Sequence, residues 1–396
     1  MAKQTEVKIP KKIGNTELYK FPSKAISFRV PRYIRIFSQS HSMLPTNPAL
    51  IRRRLLGWFE TNKRDLPWRR TSDPYAIWIS ETMLQQTQVK TVVPYYEKFL
   101  KDFPTIAALD RAPLQQVLRV WAGLGYYRRA ANLKRSASEL MRRHGGTMPR
   151  DYETLRALPG IGDYTAGAIL SIAFQKTYPA VDSNARRVLG RLLNAAESKQ
   201  LRAAAEQLIS KSNPGNFNQA IMELGATICL PVEPLCSVCP LAAHCRAHSG
   251  SGTSKKLALQ KRLAFRNVTW PLAILRRGEK ILLRRRADTG LLAGMWELPG
   301  GEKRSSDGVL KTLRRHLREI GPLSVVPLGI GEIRHSITYR RIRSPIFLFD
   351  LAVNHKIDLP ASEWRWIVPA ALDRYPASSM TLKATRVLAS YEKSAP

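Results

Sequence analysis

All four cysteines of this 396-residue chain stand in one short window, at Cys229, Cys236, Cys239 and Cys245, with six, two and five residues between successive members. A disulfide framework spreads its cysteines through a small secreted domain. This chain is large, and its first residues lack the uninterrupted apolar core that a secretory leader needs. The window therefore reads as a place where four thiolates converge on one inorganic centre. Zinc and an iron-sulfur cluster both accept four thiolates. Zinc ribbons usually bring paired C-x-x-C knuckles, and only Cys236 and Cys239 form one, so the uneven spacing fits a cluster better. A zinc-stabilised structural loop is the alternative.

The charge balance points to a partner. The chain holds 64 Lys and Arg against 30 Asp and Glu, a formal charge of +34, spread along almost its whole length. Nucleic acid is the leading expectation; a basic soluble protein or a membrane-surface binder is the alternative. No apolar run is long enough to cross a bilayer, and no long basic amphipathic helix stands out. With 44% hydrophobic residues the chain can form two or more domains with real cores.

Residues 1–45 read as a basic, irregular extension interrupted by Pro10, Pro22, Pro31 and Pro45, to which no function is assigned. Met43 stands just before the first convincing helix, Pro48 to Phe59, so the true start could lie there. Apolar residues at helical spacing, such as Ile51, Leu55, Leu56 and Phe59, or Ala166, Ile169, Leu170 and Ala173, make 46–247 a mostly α domain. Gly250 and Gly252, followed by Lys255, Lys256, Lys261 and Arg262, mark a flexible basic linker over 248–266. Beyond it, over 267–396, the text changes to short β-like runs, Leu272 to Leu275, Ile281 to Leu283, Ile346 to Phe349 and Trp364 to Val368, expected to belong to an α+β domain.

Within the helical part, Leu158-Pro159-Gly160-Ile161-Gly162-Asp163-Tyr164-Thr165 is a helix end, a glycine-rich turn and a helix start. Pro159 stops the first helix, Gly160 and Gly162 permit a tight turn, and the next helix opens with unpaired amides. Such amides hold a phosphate without regard to base. A plain helix-turn-helix connection is the bland reading, weakened because the turn, the cysteine window and the basic charge occur together. Some twenty residues on, Asp182 or Ser183 precedes an apolar periodic run and reads first as its N-cap. Glu81 is four residues after Ile77 and three before Leu84, so it shares a face with apolar side chains. Burial there would raise its pKa and let it hold a proton near neutral pH, as a general acid must. An exposed glutamate on a helix whose apolar stripe runs elsewhere is an equal alternative.

Several long runs, in order, resemble a known family: Leu66-Pro67-Trp68-Arg69, Ser80-Glu81-Thr82-Met83-Leu84-Gln85-Gln86-Thr87-Gln88-Val89, Gly123-Leu124-Gly125-Tyr126-Tyr127 with Arg128, and the turn and cysteine motifs. They resemble the A/G-specific adenine DNA glycosylases (MutY) of the helix-hairpin-helix glycosylase superfamily, densely over residues 48–247. The run Thr289-Gly290-Leu291-Leu292-Ala293-Gly294-Met295-Trp296-Glu297-Leu298-Pro299 looks like the start of that family's Nudix-like C-terminal domain, which helps recognise 8-oxoguanine.

The resemblance implies a monofunctional base-excision repair hydrolase that flips adenine, mispaired with 8-oxoguanine or guanine in duplex DNA, out of the helix and releases it. By the same resemblance Glu81 protonates the adenine. Asp182 stabilises the oxocarbenium-like sugar or bonds to it transiently. Its place at a helix start is expected to keep Asp182 ionised. Tyr164 and Asn184 match further active-site positions, Arg69 and Gln219 positions near the adenine, Gln86 and Tyr126 wedge residues, and Gly160 and Gly162 the phosphate-binding turn. Cys229, Cys236, Cys239 and Cys245 match the ligands of one 4Fe-4S cluster. Arg334-His335-Ser336-Ile337-Thr338-Tyr339 aligns with the loop where the family commonly carries Phe-Ser-His. Thr338 and Tyr339 are then the lesion-reading candidates, although Ile337 and Tyr339 depart from that pattern; a plain hairpin edge is the alternative. A monomer acting without a membrane is expected, in a bacterial cytoplasm with the nucleoid or in a eukaryotic nucleus or mitochondrion.

Three rival readings have distinguishing features. An endonuclease III-like enzyme needs a lysine nucleophile where this hairpin carries Tyr164. A non-catalytic DNA binder has no use for both Glu81 and Asp182. A nucleotide pyrophosphatase gathers paired glutamates on one helix, and Gly300 to Gly321 offers only Glu302 and, after Arg318, Glu319.

Overall fold

A computed structural model of the chain describes residue 44 and residues 47–250, 264–323, 325–355 and 357–394. The extension expected over 1–45 lies outside these except for Leu44, and most of the expected linker, residues 251–263, lies outside them as well.

The helical domain opens with α1 (Pro48–Asn62), where Asn47 caps the helix by accepting from the Ala49 amide at 2.9 Å and Pro48 takes the first position. The helix runs past the expected Phe59 to Asn62. Next, α2 (Pro74–Leu84) starts by the same device, with Asp73 accepting from the amides of Tyr75 and Ala76. Then come α3 (Val89–Asp102), α4 (Ile106–Arg111), α5 (Leu114–Trp121), α6 (Arg128–His144), α7 (Tyr152–Ala157) and α8 (Asp163–Ile172). From α2 onward these pack round one core that includes Trp78, Phe99, Trp121 and Ile169. The rest, α9 (Ser183–Leu193), α10 (Ser198–Leu208) and α11 (Pro214–Thr227), joins α1 round a second core. Leu44 is buried in that core, and the cysteine loop with α12 (Arg246–Ser249) closes its edge. The domain is thus two lobes, and the chain leaves the second lobe after α1 and returns to it at α9.

A second group of elements, with its first strand starting at Arg266, follows the helices. Its elements are β1 (Arg266–Thr269), β2 (Leu272–Arg277), β3 (Lys280–Arg285), β4 (Trp296–Glu297), α13 (Val309–His316), β5 (Leu328–Ile337), β6 (Arg340–Leu351), β7 (Trp364–Ile367) and α14 (Ser379–Ser394). The strands form one mixed sheet in the order β1-β6-β2-β3-β4, with β5 on β6 and β7 on β3. Alternation along β2 covers both faces: Leu272 and Ile274 pack with Met380, Ala384 and Leu388 of α14, and Ala273 and Leu275 with Leu313 of α13 and Leu317 just after it. The sheet is therefore sandwiched by a helix on each face.

The two domains are joined by more than the chain. Gln115 of α5 donates to the Gly294 carbonyl at 3.0 Å and accepts from the Trp296 indole at 3.1 Å. Met295 between them is fully buried in the core of the first lobe.

Candidate active site

Helix α2 explains why periodicity could not place Glu81. Every residue from Tyr75 to Met83 is buried, so the helix has no exposed stripe to contrast with an apolar one. Glu81 itself is 5% exposed. Its carboxyl accepts a short hydrogen bond from the Tyr164 hydroxyl, which also meets the Met222 sulfur at 3.3 Å. Burial pushes Glu81 up to about 7, helped by the nearby Asp182 charge and opposed by the Tyr164 bond and Arg69. Tyr164 is raised well above its ordinary value, first by burial and then by the two carboxylates.

Asp182 is the N-cap of α9, accepting from the Ala185 amide at 2.7 Å and from the Asn184 side chain at 3.1 Å. Its carboxyl is raised by burial, while those bonds and Arg187 pull it back down. The helix start therefore opposes desolvation rather than overcoming it. Buried Asn218 fixes the preceding segment, accepting from the Ala180 amide at 3.1 Å and donating to the Tyr178 carbonyl at 2.8 Å. Close approach does the rest: a Cβ on Gly167 would stand 2.3 Å from the Pro179 carbonyl oxygen, and one on Gly225 would stand 2.7 Å from Asn184 Cβ. Glu81 and Tyr164 thus come from the first lobe and Asp182, Asn184 and Met222 from the second; Glu81 is buried and the other four are half-buried.

Beside them Arg69 donates to Glu223 Oε2 at 2.8 Å, and Arg64 grips the same carboxylate through both oxygens at 2.7 Å. Burial would raise Glu223, but these bonds and charges hold it at about 2. Gln219 is half-buried on α11, one turn before Met222 and Glu223. Gln86, exposed, and Tyr126, at 42% exposure, follow α2 and precede α6. In the glycine turn, Gly160 holds φ 80° against Asn132, and no side chain caps α8 at Gly162. Thr338 (φ 54°) and Tyr339 form the tip of the β5–β6 hairpin, where Ile337 pairs with Arg340. Among the described residues, no hydrogen bond or ring contact links this tip to Glu81, Tyr164 or Asp182.

The four cysteines form no disulfide. Cys229, Cys239 and Cys245 pack against the second core. Buried Arg191 donates to Cys229 Sγ at 3.2 Å and to the Leu230 and Pro231 carbonyls, and its own carbonyl accepts from Cys245 at 3.4 Å. Cys239 is pushed up to about 11 by burial and then by its fellow thiols. A guanidinium beside grouped thiols suits a negatively charged sulfur centre. Among the described residues, no three His, Cys, Asp or Glu side chains are placed to hold a single metal ion.

Sequence reasoning missed Glu223, Asn218 and Arg129, the last a buried arginine under the Gln86 and Tyr126 segments. Asn218 and Glu223 interrupt an otherwise apolar buried helix, a signal of the same kind that marked Glu81. Arg129 lies in an arginine run and carried none.

The helical domain has the fold of a helix-hairpin-helix DNA glycosylase. Residues 79–212 match the HhH-GPD superfamily base excision DNA repair protein model, and residues 272–386 match a NUDIX domain. The chain is 35% identical over 403 residues to adenine DNA glycosylase of Homo sapiens, covering 84% of this chain and 73% of that one. For the Rattus norvegicus adenine DNA glycosylase the figures are 37% over 377 residues, 79% and 73%. Among solved structures, a thermostable thymine-DNA glycosylase is similar with 30% identity and a TM-score of 0.48, over 51% of this chain and 96% of that one. The chain belongs to the adenine DNA glycosylase family. It is a DNA N-glycosylase that removes adenine in base excision repair, with a Nudix domain following the helical one. Among the described residues, no helix is long and apolar enough to cross a membrane.

Proposed function

We propose that the enzyme acts on adenine opposite 8-oxoguanine or guanine in duplex DNA, with Glu81 as general acid and Asp182 facing the sugar cation. The observation that carries this reading is the pairing of unlike carboxyls across the cleft. Glu81 has one hydroxyl donor and no helix start, whereas Asp182 has an amide, a side-chain amide and the Arg187 charge. Glu81 therefore takes the proton first and can pass it to the departing adenine as the N-glycosidic bond breaks. Asp182 is then left to offset positive charge on the sugar, by charge or by a transient bond, until water adds. Tyr164 and Asn184 orient the two carboxyls through the bonds described.

Arg69 and Gln219 line the adenine's side of the cleft in this reading. Buried Arg69 Nε has no hydrogen-bond partner among the described residues, which favours a ligand contact there. Gln86 and Tyr126 serve as wedge residues and Gly160 and Gly162 as the phosphate-binding turn. Tyr164 is no amine, so no Schiff base forms there and the enzyme is monofunctional. The thiol loop would hold one 4Fe-4S cluster through Cys229, Cys236, Cys239 and Cys245; its contribution is to fold that loop, and it takes no part in the steps above. In the Nudix domain Glu302 is paired with Arg266 and Arg340, and Glu319 with Arg284 at 3.1 Å, which supports a binding domain rather than a nucleotide hydrolase.

The deciding experiment is single-turnover excision on A:8-oxoguanine, A:G and thymine-glycol duplexes, followed by alkali and by borohydride trapping. Adenine release from the first two, with an intact abasic strand and little trapped enzyme, is the expected result. Thymine-glycol removal with efficient trapping would sink the reading. Changing Thr338 and Tyr339 together to Ala should lower the preference for 8-oxoguanine over guanine by about 1 kcal/mol.

A further inference from the structure

Gln86 and Tyr126 both hold left-handed backbone, at φ 58° and 49°. Non-glycine residues stay in that region only where their surroundings enforce it. The two belong to different segments, one directly after α2 and the other at the end of the Gly123–Gly125 turn before α6. What they share is Arg129, on the first turn of α6 and 8% exposed.

Arg129 Nη1 donates to the carbonyls of Thr82 at 2.9 Å, Met83 at 2.7 Å and Gln85 at 2.6 Å. These are carbonyls that the end of α2 leaves without helical partners, and a cation is favoured there by the helix dipole. Nη2 donates to Thr87 Oγ1 and to the Gly125 carbonyl, each at 3.1 Å. The guanidinium also lies over the rings of Trp121 and Tyr126, 5.3 Å from each centroid. Gln86 is therefore bracketed by two residues bonded to Arg129. Tyr126 is held through the carbonyl before it and through its own ring.

Resting on the wedge reading above, we propose that Arg129 is a positioning residue that makes Gln86 and Tyr126 act as one wedge when adenine is turned out of the stack. Only a planar fork reaches both segments at once; a lysine offers a single compact ammonium.

The test uses the full chain and an A:8-oxoguanine duplex carrying 2-aminopurine beside the target adenine. Base-flipping fluorescence, single-turnover release, duplex affinity and melting temperature are read for Gln86→Ala, Tyr126→Ala and the pair, in wild-type and Arg129→Lys backgrounds. In the wild type the two substitutions should depart from additivity in release by about tenfold. In the Arg129→Lys background they should become additive, with duplex affinity nearly kept and the pH midpoint of release unmoved. Single substitutions that impair flipping yet add independently in the wild type would overturn the role of Arg129 and leave the wedge reading standing. Singles that flip and release adenine like the wild type would remove the wedge reading itself. If Arg129→Lys does not fold, Thr87→Val, which deletes one bond of the fork, should still weaken the coupling severalfold; unchanged coupling there overturns the proposal.

Discussion

The two walls of the cleft each carry a buried glutamate, and the two have been driven in opposite directions. Glu81 on α2 sits among apolar neighbours with one hydroxyl donor and rises to about 7. Glu223 on α11 is even more buried, at 1% exposure, yet is held at about 2 because Arg64 and Arg69 bond to it. Burial by itself therefore does not make an acid; the number of cations in reach decides. Two buried glutamates of the same domain thus end with opposite protonation preferences, one left nearly without cations and one gripped by two arginines.

The strongest way to break this contrast is Glu81→Gln, which keeps the shape and removes the proton. Adenine release should fall by about a hundredfold or more while binding to the A:8-oxoguanine duplex stays nearly intact. Single-turnover excision and a binding titration check both halves, and a variant releasing adenine at wild-type rate would end the assignment. On the opposite wall, Glu223→Gln strands two guanidiniums. It should cost about 2 kcal/mol of stability, discounted because Arg64 is partly exposed, and show as a lowered melting temperature.

Acidity sharpens the comparison through stability. Glu81 binds its proton more tightly folded than unfolded, so its contribution is fully present below its ordinary value of 4.5 and is lost as pH rises toward about 7. Glu223 does the reverse: its contribution is present above 4.5 and is lost as pH falls toward about 2. Denaturation of each Gln variant against the wild type across pH should show one difference growing on each side. Activity follows the first group only, with release declining as pH rises through about 7. The smallest effect belongs to Tyr164→Phe. Removing the hydroxyl that favours the Glu81 carboxylate should move that decline slightly upward in pH, by a bond worth about 1 kcal/mol or less. A downward movement would mean that the bond stabilises the protonated form instead.

Much of this was legible in the residues. Asp182 before an apolar run reads as a cap and is one. Other parts left no such trace. The expected strands at Leu272, Ile281, Ile346 and Trp364 are the ones with apolar residues on both faces. By contrast β5 carries Gly329, Gly331, Glu332 and Arg334 in a largely exposed ladder on β6, and β1 has only Val268 buried. The burial of Glu81 was undecidable because α2 is enclosed all round. Arg129 was invisible because its partners are backbone carbonyls, which every residue has. The docking of Met295 and Trp296 on α5 was hidden for a related reason: an apolar residue does not announce which domain's core it will enter.

The lobe that completes the cleft is assembled from pieces far apart in the chain, with α1 ending at Asn62 and α9 beginning at Ser183. During synthesis α1 must therefore wait while the whole first lobe emerges, a delay of roughly 6 to 25 seconds at typical elongation rates. Glu81 and Tyr164 are in place early, but Asp182 and Glu223 arrive only with the returning helices. A chain that stalls before α9 thus carries Glu81 and Tyr164 without the Asp182, Asn184 and Glu223 that face them.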